Sequence, residues 1–267
     1  MKKLFMVLAA TVICGASLFT SCKKDEDNNL NLEEKIIGKW MTADMNGKPL
    51  PSNEKTVYTF VSATKATVST AITTHPEVGT HWNDKLDADV TIDGNKITLT
   101  DHPDEHTMVV EEYTVTAISG TEFTANHKVI VTKDGIVVNN DEHVLRLAKQ
   151  TTDYKQAILC KWECTELTGI ETYNDANARL EFYQDGTYNY WRKNGEGQWE
   201  AVTNREFQNY FVDGTLLATR WKNQGEEELR EWWEIASIAG NQMEWTALRK
   251  KEDGTTVTQT MTWVKVN

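Results

Sequence analysis

The stretch "IIGKW", residues 36–40, returns as "ILCKW", residues 158–162, an offset of 122. Further markers keep their order. Gly47 meets Gly169 at the same offset, and Phe60 in "YTFVSATKAT" meets Phe182 in "LEFYQDGTYN". "VTIDGNKITL" then answers "YFVDGTLLAT", placing Gly94 on Gly214 at an offset of 120, and "TAISGTEFTA" answers "ASIAGNQMEWTA", placing Gly120 on Gly240. Both copies close on an apolar run, "HVLRLAK" and "MTWVKV". Self-similarity over this length reads as two tandem domains, each long enough for one small core. The expected domains are 35–149 and 153–267. They are joined in "AKQTTDYKQ", where Thr152 to Ala157 has room for one helical turn.

Within each copy the pattern is β. In "ARLEFYQDGTYNYW" apolar positions alternate at Leu180 and Phe182 before Asp185-Gly186, then at Tyr188 and Tyr190 after it. An Asp-Gly pair between alternating runs predicts a hairpin, because both residues tolerate positive φ. Asp93-Gly94, Asp134-Gly135, Asp213-Gly214 and Asp253-Gly254 repeat that chemistry. The spacing gives about eight strands per copy, a meander of short turns that favours an antiparallel up-and-down barrel.

Together these motifs carry a resemblance. Gly38-Lys39-Trp40 opens the first copy. The second shows Trp162, Phe182-Tyr183-Gln184-Asp185-Gly186-Thr187-Tyr188, Gly197-Gln198-Trp199 and Tyr210-Phe211-Val212-Asp213-Gly214. Both copies thereby resemble the lipocalin-like domains of bacterial lipoproteins. The departures are Cys160 in place of the glycine and the missing Asp-Gly turn after Phe60. The resemblance implies an all-β fold of two tandem barrels, each with a possible internal cavity; it implies no particular ligand.

The N-terminus addresses location. Lys2 and Lys3 precede an apolar run from Leu4 to Leu18, too short to span a bilayer and patterned as a secretory signal over residues 1–21. Phe19-Thr20-Ser21-Cys22 resembles a lipobox, which implies acylation of Cys22. "KKDEDNN" after it resembles the export signal of surface lipoproteins. A tether is expected over 22–34, because the segment cannot bury apolar area. The expected site is the outer membrane, facing the cell exterior, with a periplasm-facing orientation as the alternative. Without Lys2 and Lys3 the chain carries 26 basic against 40 acidic residues, a net charge of −14. That balance argues against nucleic acid as a partner.

Tryptophan is uneven, with Trp40 and Trp82 in the first copy and eight in the second. Trp40 and Trp162, at equivalent positions, are expected to plug the barrels. Alternation sends Leu229, Trp233 and Ile235 to one face and Arg230, Trp232 and Glu234 to the other, and puts Trp191 opposite to Tyr188 and Tyr190. Trp199, Trp221, Trp233, Trp245, Tyr188 and Tyr190 are therefore candidate interior ligand contacts, with filling of the barrel as the plainer role. Trp191 and Trp232 are candidate outer stacking platforms for sugars, or else pack on a neighbouring element.

All six histidines lie in the first copy: His75, His81, His102, His106, His127 and His143. "DHPDEH" lacks a specific metal-ligand spacing, so no metal or other cofactor is expected. Cys160 and Cys164 would stand ~13 Å apart on an extended strand at ~3.3 Å per residue. A disulfide needs Cα atoms within ~7 Å, so both are expected reduced. There is no "GxSxG", "HExxH" or phosphate-cradling glycine loop, and an enzyme is not expected. Three readings remain: a small apolar or amphipathic ligand inside a barrel, a carbohydrate or protein receptor on the tryptophan-rich copy, and a structural accessory subunit of the envelope.

Overall fold

Each half of the chain enters its sheet through the same local device. In the computed structural model, which describes residues 30–70, 82–169 and 177–266, the short helix α1 (Leu32–Lys35) ends as the Ile36 N–H donates to the Leu32 carbonyl at 2.9 Å. The Ile158 N–H donates to the Tyr154 carbonyl at 3.0 Å in the same way. The indole four residues on then returns: Trp40 Nε1 donates to the Ile36 carbonyl at 2.6 Å, and Trp162 Nε1 to the Ile158 carbonyl at 2.9 Å. Both rings are fully buried, and each has its one polar atom satisfied, the usual arrangement for a buried indole. The tether expected to reach residue 34 stops earlier, because Leu30 and Leu32 pack onto the first core. Cys22, the signal segment, His75 and His81 lie outside the described residues.

The first sheet contains β1 (Gly38–Met45), β2 (Lys48–Pro49), β3 (Val57–Ser62), β4 (Lys65–Thr70), β5 (Asn83–Asp93), β6 (Lys96–Asp104), β7 (Thr107–Ile118), β8 (Glu122–Lys133) and β9 (Ile136–Gln150). Neighbours pair antiparallel in sequence order, and β1 also pairs β9. Eight strands thus close an up-and-down barrel, with β2 as a short spur on β1. The second sheet contains β10 (Lys161–Thr168), β11 (Ala178–Phe182), β12 (Tyr188–Lys193), β13 (Trp199–Ala201), β14 (Arg205–Asp213), β15 (Leu216–Asn223), β16 (Glu228–Ala239), β17 (Gln242–Lys250) and β18 (Thr256–Val266). It curls in the same order but stays open between β12–β13 and β14.

The opening has a local cause. The turn "KNGEGQ" folds β13 back onto β12, placing Trp199 opposite Lys193 and Ala201 opposite Trp191. That edge of β12 is what β14 would need. Among the described residues the backbone bridges the gap only at its lower end, by Thr187 opposite Asn209 and by the Tyr210 N–H donating to the Gly186 carbonyl at 2.8 Å.

The repeat extends to irregularities. Bulges fall at Thr42/Asp44 and Cys164/Glu166, and again at Val115/Ala117 and Ile235/Ser237. Asp93-Gly94 and Asp213-Gly214 differ from the expected turn chemistry. Each aspartate is the last strand residue, paired with Lys96 or Leu216. Each glycine opens the two-residue loop, with φ of 60° and 62°, so only the glycine needs the left-handed region. Cys160 can replace Gly38 because the backbones diverge there. Gly38 begins β1 with φ 122°, whereas β10 begins one residue after Cys160, which has no positive φ. Cys160 and Cys164 are not bridged to each other.

The two barrels meet along the outer faces of β14–β16. Met41 and Val57 pack with Phe211, Leu216 and Ala218, flanked by Trp82 and Trp232. Polar groups rim this apolar strip. Lys39 bridges to Asp153 at 2.5 Å and to Asp213, and Lys55 bridges Glu234 at 2.8 Å. The Ser52 hydroxyl donates to Glu234 at 3.2 Å and accepts the Leu248 N–H at 3.0 Å. Burial works against the Lys39 ammonium, yet its two carboxylates together hold its pKa above the ordinary value.

Candidate functional site

Inside the first barrel the core is filled from Trp40 upward through Phe60, Leu99, Tyr113 and Phe123. Above them Glu111 accepts hydrogen bonds from the Tyr58 hydroxyl at 2.8 Å and the Tyr113 hydroxyl at 2.6 Å. His127 Nε2 lies 2.8 Å from the same carboxylate oxygen, and His127 Nδ1 lies 2.9 Å from His143 Nε2. Burial pushes against the Glu111 charge, but His127 and the two phenols outweigh it and hold the carboxyl below its usual range. Asp101, on the same inner face, has no such help. Burial, and then the Glu111 charge, raise its pKa to about 8. This interior is sealed, with Glu111 showing only 10 % of its side chain.

The second barrel differs above its plug. Its lower half is packed by Phe182, Leu217, Met243, Trp245 and Trp263 around Trp162. Trp245, 2 % exposed, fills the barrel. Higher up, the inner face turns polar. Glu231 accepts from Arg249 Nη2 at 2.9 Å and from the Trp233 indole. The Arg249 guanidinium lies 4.8 Å from the Trp233 ring centroid, with its Nε 3.0 Å from the Gln259 oxygen. Protein surrounds the Glu231 carboxyl closely enough for burial to raise its pKa against the pull of Arg249. Yet 44 % of its side chain is open to water. A group enclosed by strands but still wet lines a cavity; one embedded in packing would be dry.

Beside the gap, Arg205 enters between two rings, 4.8 Å from the centroid of Tyr190 and 5.2 Å from that of Trp221. Its Nη1 donates to Gln208 at 2.8 Å, and it is hydrogen-bonded to the Tyr188 hydroxyl. Its Nε is buried without an acceptor among the described residues. Tyr188 is buried against Phe182 and its phenol is pushed up by that burial. The cleft is therefore cationic and aromatic, with an oxygen-rich edge at Glu231, Gln208 and Gln259.

Several expected positions move. Trp199, expected inward, lies on the outer face: it stands opposite Lys193, with the Arg179 guanidinium 4.0 Å from its ring centroid. A three-residue strand set by turn length escapes an alternation argument. Trp191 shares that outer face, with Lys161 Nζ 4.7 Å from its ring. Trp232, expected as an exposed platform, is half-buried in the seam between the barrels, so it packs on a neighbouring domain. The Trp191 and Trp232 indole N–H groups are buried without an acceptor among the described residues. His127, to which the sequence analysis assigns no role, is 4 % exposed. Arg205, Glu231 and Arg249 were not singled out by sequence; inward parity with Trp233 and Trp245 could have found Glu231 and Arg249, whereas Arg205 turns inward only through the bulge between Arg205 and Phe207.

No family model matches the chain, and no curated protein matches it. Two solved variants of the vaccine antigen Transferrin Binding Protein B (TbpB) from Haemophilus parasuis Hp5 align with 82 % of this chain, at 7 % and 9 % identity and a TM-score of 0.22 each. The aligned region covers 61 % of those chains. A likeness at that TM-score carries no argument.

Proposed function

We propose that this chain is a non-catalytic binding protein of the cell envelope, held to the membrane through acylated Cys22, whose second barrel takes one small amphipathic ligand. One observation carries the reading: above the Trp162 plug, the second barrel is open along one side and keeps a buried-side carboxylate, Glu231, in contact with water. Sites for small molecules are concave, largely apolar and furnished with a few placed polar groups. The cleft has that composition, with Tyr190, Trp221 and Trp233 as the apolar wall and Arg205, Gln208, Glu231 and Arg249 as the polar points. The first barrel offers no counterpart, since Glu111 is closed in by Tyr58, Tyr113 and His127 and the neighbouring Asp101 is buried. The outer face is a poorer platform for sugars, because cations sit over the rings of Trp191 and Trp199. The anchor and the outward orientation rest on residues 18–29.

The test uses the neutral fluorophore N-phenyl-1-naphthylamine. One equivalent per chain should bind, with quenching of tryptophan emission, and Thr219→Phe on the inner face beside Glu231 should abolish it. Two equivalents, or binding that survives the substitution, would move the site elsewhere.

A further inference from the structure

We infer that the ligand of the second barrel carries an oxyanion head group, received by Arg205 between the Tyr190 and Trp221 rings with Arg192 at the rim. The inference rests on the proposed function above and adds the chemical class of the ligand.

Its basis is a missing partner. The chain holds 40 acidic residues against 28 basic ones, and several other partly buried cations find carboxylates. Lys39 pairs with Asp153 and Asp213, Lys55 with Glu234, Arg179 with Glu163, and Arg249 with Glu231. Arg205 has none. Its polar contacts are the neutral Gln208 and Tyr188, and its Nε is desolvated without an acceptor among the described residues. Burial draws its pKa down, and the neighbouring Arg192 adds repulsion. Arg192, two residues beyond Tyr190 and therefore on the same inner face of β12, is exposed at the rim. Enclosing the Arg205 guanidinium without a counter-charge costs folding energy, and a guanidinium fork is the group best suited to an oxyanion.

The slot also fixes the shape of the guest. Tyr190 and Trp221 approach the guanidinium by their rings, leaving its N–H donors as the surface an acceptor can meet. An apolar body would then lie along Trp221 and Trp233 toward the packed floor at Trp245. Carboxylate, phosphate and sulfate share this chemistry, and the source is resolved by comparing heads on one tail.

The experiment titrates the full chain with dodecanoate, dodecyl phosphate and dodecanol below their micellar concentrations, followed by tryptophan fluorescence and calorimetry. Both anions should bind at least about tenfold more tightly than dodecanol, the size of one charge-assisted hydrogen bond. Arg205→Gln should remove that margin and leave dodecanol unchanged, and Arg205→Lys should keep part of it. Equal binding of dodecanoate and dodecanol to the unaltered chain overturns the anion assignment while the cleft survives as a site, and this comparison stands whether or not Arg205→Gln folds. Failure of all three probes to bind, with the neutral fluorophore also excluded, overturns both readings. Anion binding undiminished in Arg205→Gln and Arg205→Lys places the head elsewhere.

Discussion

Glu111 and Glu231 stand at the same place in the two halves, 120 residues apart on the inner faces of β7 and β16, and they have opposite surroundings. Glu111 is closed in by two phenols and an imidazole, and its pKa is held down. Glu231 has an arginine and an indole, keeps 44 % of its side chain wet, and has its pKa raised by burial. The strand order, the bulges and the plugging indoles are shared. What differs is closure: β4 pairs along β5, whereas β13 takes the edge of β12 that β14 would have used. One barrel uses its inner polar groups to fasten itself; the other leaves some of them facing an opening.

The sharpest break of that comparison is Glu111→Leu against Glu231→Gln. Removing Glu111 strands His127 and two hydroxyls in a dry interior and should cost about 3–5 kcal/mol. Glu231→Gln, beside water, should cost about 1 kcal/mol or less. Denaturant unfolding of the two variants checks this, and equal losses would mean that the second interior is as sealed as the first.

Next comes the pH dependence of Asp101. Its pKa is about 8 in the fold against 3.8 as the reference. Between those values the native state holds a proton that the unfolded chain releases, so stability falls as pH rises from about 4 to 8. Asp101→Asn should therefore remove this slope, gaining nothing below pH 4 and most above pH 8, read as Tm against pH. Glu111, with its lowered pKa, gives the opposite slope: its contribution is present at neutral pH and lost as pH falls below the ordinary carboxylate range. Tyr113→Phe, which removes one hydrogen bond to the buried carboxylate, should cost about 1.5–3 kcal/mol by the same unfolding measurement. Trp199→Ala on the outer face forfeits contacts to Arg179 and Lys193 and should cost about 0.5–1 kcal/mol. It should leave fluorophore binding unchanged, and lost binding would return the outer face as a site.

How much of this was legible depends on how local the determinant is. The Trp40 and Trp162 devices were readable because each spans four residues. The faces of Trp233 and Trp232 followed from alternation in an uninterrupted strand, although alternation could not say that the outer one meets the first barrel. Trp199 was misplaced because its register passes through a turn whose length decides which side it shows. The Tyr113, His127 and His143 cluster was missed because it draws on three strands. Reflection through the turns at Gly120 and Gly135 would have laid those three residues side by side. Arg205 was invisible because its meaning lies in a partner it lacks, which no pattern of residues displays.

The seam gives the two lips of the opening different mechanical support. On one side β14–β16 are backed by the first barrel through Phe211, Asp213, Trp232 and Glu234. On the other, β12 and the three-residue β13 hang from β11, joined to β14 only through Thr187 and Arg205 among the described residues. Any breathing of the slot must therefore be borne by the less supported hairpin, with the braced wall serving as an anvil. Rigidifying that hairpin alone would slow the entry and exit of a guest without altering how tightly it is held.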